Sequence, residues 1–268
     1  MEMEINEKIV ALGVGRRGCQ TVGQFDHKID GVKCAYMRFQ AEPESLDLPD
    51  DSLKFNVQSV NDCEKIITEN FKCASVIFVA GDGPLTTYLA KTSKDLGILT
   101  IGIALWYNEE LKAMLKDVSD VFISLETEID LLQNVVESIV NIITKSGFVN
   151  LDFDDVKTIF QDVGTAIFGM GRAEGDNRAK IAALQAVNMS KEMKNVKRVL
   201  INITTGSEVL LEEMSDATEI IELAIAPDAQ IIWGHVVDDD MGSGVQVTFI
   251  AGMDDKKGLK RCPMEELN

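Results

Sequence analysis

The first half of the chain alternates short apolar runs with amphipathic helical stretches, and this alternation restricts the fold more than any other feature. Lys8–Val14 reads as a buried strand that closes on Gly13-Val14-Gly15. Val32–Met37, Ser75–Ala80, Ile98–Leu105 and Val121–Ser124 read as four more strands. Helical patterns near Cys19–Ile29, Asp62–Phe71, Leu85–Leu96 and Glu109–Lys116 lie between them. Parallel strands need long crossovers, which helices supply. The pattern therefore predicts an α/β domain with a doubly wound, mostly parallel sheet covered on both faces.

The strongest helical signal follows, over Glu128–Lys145. Ile129, Leu132, Val135, Val136, Ile139, Val140 and Ile143 recur at spacings of three and four, which places them on one face. Lys145 suits the negative end of the helix dipole, and Gly147 suits its termination. The second half changes rhythm. Helices are expected near Asp152–Val163, Asn177–Asn188 and Ser215–Ile225, and strands at Arg198–Thr204, Gln230–Val237 and Val245–Ala251. An acidic turn, Asp238-Asp239-Asp240, joins the last two. The expected organisation is an α/β domain over 1–127, a long central helix over 128–147, an α+β domain over 148–253 and a short polar tail over 254–268.

Composition narrows the function classes. The 268 residues carry a formal net charge of −18, which opposes approach to nucleic acid or to an anionic lipid surface. No nucleic-acid partner and no direct membrane binding are expected. Five cysteines without a C-x-x-C pair, and two histidines outside any ligand-spaced cluster, argue for reduced thiols and against a metal site. The acidic N-terminus is unlike a signal peptide, and no run approaches the roughly 20 apolar residues of a membrane span. A cytoplasmic location is expected.

Gly13-Val14-Gly15-Arg16-Arg17-Gly18 forms a G-x-G-x-x-G between a strand and a helix. Such a turn lets backbone amides approach a phosphate at a helix N-terminus. It is equally compatible with a tight, ligand-free strand–helix connection. A dinucleotide fold wants an acid near the end of the second strand. Met37 and Arg38 stand there, so an NADP-binding oxidoreductase is a further reading, with the arginine meeting a 2′-phosphate.

The second half carries a more specific pattern. The run from Gly147 to Lys157 (GFVNLDFDDVK) resembles the synergy loop of FtsZ. The likeness continues through Gly164-Thr165-Ala166, Gly169-Met170-Gly171-Arg172-Ala173, Gly175 and Asn177-Arg178-Ala179. It resumes at Leu200–Thr204, Ala226-Pro227-Asp228-Ala229 and Ile231-Ile232-Trp233-Gly234, and Asp95–Thr100 also fits. The resemblance spans roughly residues 8–252, dense after 129 and sparse before.

The resemblance implies a tubulin-like fold in which GTP sits on one face of a subunit and the synergy loop of the next subunit completes the hydrolytic site. Asn150, Asp152 and Asp155 are then the residues that act on a neighbour's nucleotide, orienting water beside the metal–phosphate cluster. Asp152 and Asp155 also read as an N-cap and the N3 acid of the following helix. Gly13, Gly15, Gly18, Gly81, Gly83, Thr86 and Asp130 are the candidate nucleotide-binding residues, with magnesium accompanying any bound GTP or GDP. Asp130 reads equally as a helix-start acid.

The nucleotide half departs from the family. Gly81-Asp82-Gly83-Pro84-Leu85-Thr86-Thr87 is shorter than the usual GGGTGTG loop. Pro84 removes an amide donor, and Asp82 brings negative charge to where phosphates would lie. Arg16, Arg17 and Cys19-Gln20 replace small or polar residues. Arg38, Phe39 and Gln40 are unlike the family's loop after the second strand, and Ile129 replaces an asparagine. The tail shows no recognisable anchor-binding peptide. Weak or lost GTP binding is expected, with partners being further copies of the chain or a complete FtsZ. The expected function is a division-type cytoskeletal protein that modulates or caps filaments, and the alternative is an active, polymerising GTPase.

Overall fold

Nine apolar or weakly polar segments and one glycine-rich segment become strands. The computed structural model describes residues 8–24, 28–39, 52–105, 109–125, 129–145, 147, 149, 151–190, 193–208 and 210–253. They divide into two units, with the boundary at Leu131–Leu132.

The first unit contains β1 (Ile9–Val14), α1 (Gly15–Gly23), β2 (Val32–Phe39), β3 (Leu53–Val57), α2 (Val60–Asn70) and β4 (Val76–Gly81). It continues with α3 (Pro84–Asp95), β5 (Leu99–Leu105), α4 (Glu109–Val118) and β6 (Val121–Leu125). The strands run in the order β3-β2-β1-β4-β5-β6, and every pairing is parallel. All six residues of β1 and of β4 are buried, as a central parallel strand covered on both faces requires. Val10, Leu12, Ile77 and Val79 from these strands pack with Ile67, Leu89 and Leu115 from the helices. Each such side chain contributes about 1.5–3 kcal/mol by leaving water. α2 is started by a capping box between Ser59 and Asp62, which satisfies two backbone amides at the helix start.

The second unit holds α5 (Ile129–Thr144, from Leu132 onward), α6 (Phe153–Phe160), β7 (Gly164–Glu174), α7 (Arg178–Asn188), β8 (Arg198–Thr205), α8 (Leu211–Ala224), β9 (Gln230–Val237) and β10 (Gly244–Gly252). Its sheet order is β7-β10-β8-β9. β10 is antiparallel to both neighbours, and β8 and β9 are parallel. α7 packs a row of small residues, Ala179, Ala182, Ala183 and Ala186, together with Met214 and Ile221 of α8 and with Ile201, Val247 and Phe249 of the sheet. Arg178 locks the start of both helices. Its guanidinium donates to Glu213 at 2.6 and 2.8 Å and to the Ser243 and Glu208 carbonyls at 2.6 and 2.9 Å.

Several elements differ from the sequence expectation. β3 and β7 are strands that the alternation did not reveal. α1 begins at Gly15 and ends at Gly23, where Cys19–Ile29 was expected, because the positive φ of Gly15 (68°) turns the chain directly into the helix. α8 starts at Leu211, four residues before the expected Ser215, because Glu213 accepts from the Leu210 amide at 3.1 Å. On α5 the inward position is taken by Ile142, and Ile143 is only half-buried.

Gly18 is the closest approach in the first unit, since a methyl group there would run into the Ala80 carbonyl oxygen. Gly18→Ala is expected to lower the stability of this unit by about 1–3 kcal/mol, read as a drop in urea midpoint with unchanged m-value.

Candidate functional site

Two groups of candidate residues lie in different units. In the first unit, Val14 and Gly81 are register partners on adjacent parallel strands. The turns that follow them, Gly13–Gly18 and Gly81–Gly83, therefore sit side by side at the carboxyl ends of β1 and β4. Open parallel sheets bind ligands at such ends. α1 begins without a side-chain cap, so its first-turn amides have no intrahelical partner.

The local geometry accounts for most of the glycines through packing. A methyl on Gly13 would lie 2.6 Å from the Gly18 carbonyl oxygen, and one on Gly81 would collide with Thr86 Oγ1. Gly83 has open space around it and is the N-cap of α3, with Pro84 at the first helical position. Thr86 is fully buried beneath Gly81, and among the described residues its hydroxyl has no hydrogen-bond partner. Arg17 on α1 pairs with Asp82 at 3.2 Å. The Asp82 carboxylate therefore ties the turn after β4 to α1. The donor set fits a triphosphate poorly: Pro84 has no N–H to give, and Asp82 repels the ligand charge while engaging a nearby cation.

Two further nucleotide-half expectations can be placed. Met37 is buried within β2, and Arg38 is in register with Asn56 of β3. Both are strand residues and not part of a loop beyond the sheet. Asp130 lies in the first turn of α5, and its side chain lies outside the described residues.

The second unit holds the acidic corner. Asp152 is the N-cap of α6 and Asp155 its N3 residue. Asp152 Oδ1 accepts from the Asp155 amide at 2.9 Å, and Asp155 Oδ2 accepts from the Asp152 amide at 3.0 Å. Local capping is thus present as expected. Each carboxylate spends one oxygen on it, and among the described residues the other oxygen carries no hydrogen bond. Asp152 is exposed and Asp155 half-buried, so one side chain can cap its helix and still face another molecule. Asn150 lies outside the described residues.

The corner is held from below. Val156, Ile159 and Phe160 bury the inner face of α6. The Val149 carbonyl accepts from the His235 amide on β9 at 2.9 Å. Leu151 packs onto Gly234, where a methyl would lie 3.0 Å from its Cγ. Gly147 lies so close to His235 that any side chain would strike its carbonyl. Lys145 at the end of α5 pairs with Asp238 at the end of β9 at 3.0 Å, which holds the Asp238 carboxyl below its usual range.

Sequence reasoning did not single out His235, because a lone histidine in an apolar strand carries no spacing signal. It is almost fully buried, at 1% exposure, and burial pushes its pKa below 6.5. A polar cavity of about 270 Å³ in the same unit is lined by Ser138, Asn141, Arg172, Asn202, Thr204 and Gln246 among others. Among the described residues, Asn202 Oδ1 has no hydrogen-bond partner. Among the described residues, no group of three or more His, Cys, Asp or Glu is arranged to hold a metal.

Residues 164–254 match the FtsZ family, C-terminal domain. "Cell division protein FtsZ 1" of Thermococcus kodakarensis is 27% identical over 302 aligned positions, covering 92% of this chain and 81% of that protein. The chain carries the C-terminal domain of the FtsZ family over residues 164–254 and resembles FtsZ over most of its length. Solved structures agree on the fold. An FtsZ W319Y mutant from M. jannaschii superposes with a TM-score of 0.78 at 21% identity, covering 91% of this chain and 90% of that one. An empty FtsZ dimer from the same organism gives 0.75 at 19% identity over 98% and 96%. GDP-bound monomeric CetZ1 from Haloferax volcanii gives 0.66 at 13% identity over 96% of each chain. The matched family segment begins at β7, so it covers the sheet of the FtsZ-like second unit and leaves the two glycine turns outside. Among the described residues no helix is long and apolar enough to cross a membrane.

Two outcomes follow for this FtsZ-like chain. Asp152→Ala is expected to cost about 1 kcal/mol through loss of the cap, measured by urea unfolding. Acid should destabilise the second unit in two steps. His235 has a lowered pKa when folded, so the unfolded chain binds more protons and stability falls as pH drops below about 6.5. The Glu213 and Asp238 carboxyls are also lowered, by Arg178 and Lys145 respectively. Their contribution is present above about pH 4.5 and lost below it. His235→Ala should remove the upper step alone in a pH series of thermal midpoints.

Proposed function

We propose that this chain is a cytoplasmic, FtsZ-like cytoskeletal protein of cell division that associates head to tail through its acidic corner. It binds GTP weakly or not at all and modulates or caps filaments of a complete FtsZ. The observation that carries the reading is the contrast between the two turns and the corner. Asp152 and Asp155 are each held by a reciprocal backbone tie with one oxygen to spare. The β4–α3 turn instead places Asp82 against Arg17 and a proline at the start of α3.

Magnitudes favour weak binding. A hydrogen bond to a charged group contributes about 1.5–3 kcal/mol. Losing three or four of them weakens affinity by about three decades or more. One FtsZ relative is a dimer and the CetZ1 relative holds GDP, so both self-association and nucleotide binding occur among the neighbours. Residues that would act on a partner's nucleotide are Asn150, Asp152 and Asp155, with any magnesium brought by that nucleotide.

A second reading, an active GTPase that polymerises by itself, draws support from the uncapped N-terminus of α1 and the exposed Arg16 and Arg17 beside it. Co-sedimentation separates the two. Alone with GTP, the purified chain is expected to stay in the supernatant, and with a GTP-loaded complete FtsZ it is expected to enter or shorten the filaments. Robust polymers of the chain alone that disassemble on hydrolysis would establish the second reading. Isothermal calorimetry with GTP should give a Kd weaker than about 0.1 mM.

A further inference from the structure

The loop that leads to the acidic corner runs back along β9, the last strand of its sheet. Lys145 meets Asp238 just beyond the end of that strand. Gly147 lies over the His235 carbonyl, the Val149 carbonyl accepts from the His235 amide at 2.9 Å, and Leu151 packs onto Gly234. The chain therefore passes β9 in reverse order before α6 begins.

A segment laid along an edge strand keeps its register only where side chains distinguish one rung from the next. Equivalent rungs recur every two residues, about 7 Å apart, so a slip by one rung would displace Asp152 and Asp155 by about that distance. Gly147 and Gly234 allow the close approach but bring no side chain that resists a slip. Lys145 does. Its Nζ donates to Asp238 Oδ2 at 3.0 Å, across 93 residues of chain.

Both partners of this bond are held by their own backbones. The Lys145 amide donates to the Asn141 carbonyl at 2.9 Å, which extends α5 by one residue. α5 is itself fixed by the buried side chains of Leu132, Val135, Val136, Ile139 and Val140. The Asp238 amide donates to the Thr205 carbonyl at 2.8 Å, and the Asp238 carbonyl accepts from the Met241 amide at 3.0 Å. Asp238 Oδ1 accepts from the Asp240 amide at 3.1 Å, which presents Oδ2 to Lys145. The bond to Lys145 is the main cause of the lowered Asp238 pKa, and the nearby charges of Lys145 and Arg172 add to it.

We infer that Lys145 and Asp238 are the positioning pair of the acidic corner: their bond sets the register of the loop from Gly147 to Leu151 on β9, and with it the place from which Asp152 and Asp155 face another molecule. The inference rests on the proposed function, because it names the residues that aim the same corner. The pair is 41% and 26% exposed, so its effect is that of a surface ion pair, modest and screened by salt.

A double-mutant cycle read by hydrogen exchange tests it, with β10 peptides as the internal reference and salt kept at about 50 mM. Lys145→Met keeps an unbranched stem and removes the charge. Asp238→Asn keeps an oxygen for the Asp240 amide and removes the charge. Peptides within residues 147–155 are expected to exchange about threefold faster in Lys145→Met than in the wild type, with β10 unchanged. Asp238→Asn should give the same acceleration, the double variant no more than either single, and Lys145→Arg wild-type exchange. Unchanged loop exchange in Lys145→Met overturns the inference. So do accelerations that multiply in the double variant, or Lys145→Arg behaving like Lys145→Met. A parallel assay isolates the underlying reading through stimulation of GTP hydrolysis by a complete FtsZ. Asp155→Asn should abolish it, and Lys145→Met should lower its maximal rate about threefold, with Lys145→Arg restoring it. If wild type and Asp155→Asn stimulate equally, the corner's action on a partner fails, while the exchange cycle still decides whether the pair sets the register. Where the wild type stimulates and Asp155→Asn does not, full stimulation by Lys145→Met overturns the inference.

Discussion

The acidic corner depends on one short stretch of backbone pairing outside any regular sheet, the 2.9 Å bond from the His235 amide to the Val149 carbonyl. This bond continues the ladder of β9 into the loop and gives the chain before α6 a fixed partner. Gly147 and Gly234 make the approach close enough for it to form, since side chains at either position would occupy the space taken by His235 or Leu151. The reciprocal Asp152–Asp155 tie then sets the direction of α6. Packing of Val156, Ile159 and Phe160 anchors the helix below it. Capping consumes one oxygen of each carboxylate, so the proposed role toward a partner would draw on atoms that the cap leaves over.

The first unit shows the opposite allocation. Its two turns lie at the carboxyl ends of adjacent parallel strands, the expected place for a ligand in such a sheet. Yet the glycines there mainly serve close helix–strand packing, and the one carboxylate in the β4–α3 turn is paired with the neighbouring arginine. The proposed weak nucleotide binding draws on these two features, the Asp82 carboxylate and the proline that begins α3. The half-exposed ion pair is itself weak. The proposal therefore leans on the sign of the Asp82 charge and on the amide that Pro84 lacks, not on the strength of the pair.

Much of this was legible in the sequence, for physical reasons that differ by element. The central strands β1, β4 and β5 read clearly because strands buried on both faces become continuous apolar runs. The α5 stripe read clearly because seven apolar residues kept helical spacing, although Ile142 and not Ile143 turned out to be the buried member. β7 was hidden by its glycines: Gly171 must lack a side chain because α7 crosses it at the Ala182 carbonyl, and glycine reads as a turn. β3 was overlooked because its alternation of Leu53, Phe55 and Val57 with Lys54 and Asn56 lasts only five residues, too short a run to stand out from a connecting segment. At the site, the capping pattern of Asp152 and Asp155 was readable from spacing. His235 was not, because its burial and its side-chain bond to Thr205 on the neighbouring strand come from tertiary packing, which no local pattern encodes.

The account as a whole requires the spare oxygens of the corner to face another molecule. A photo-crosslinking residue placed at position 155, in a mixture of this chain with a GTP-loaded complete FtsZ, tests that requirement most directly. The account predicts crosslinks to the partner's nucleotide-binding face, dependent on GTP. Crosslinks confined to the chain's own residues, or to a partner surface remote from its nucleotide, would contradict it.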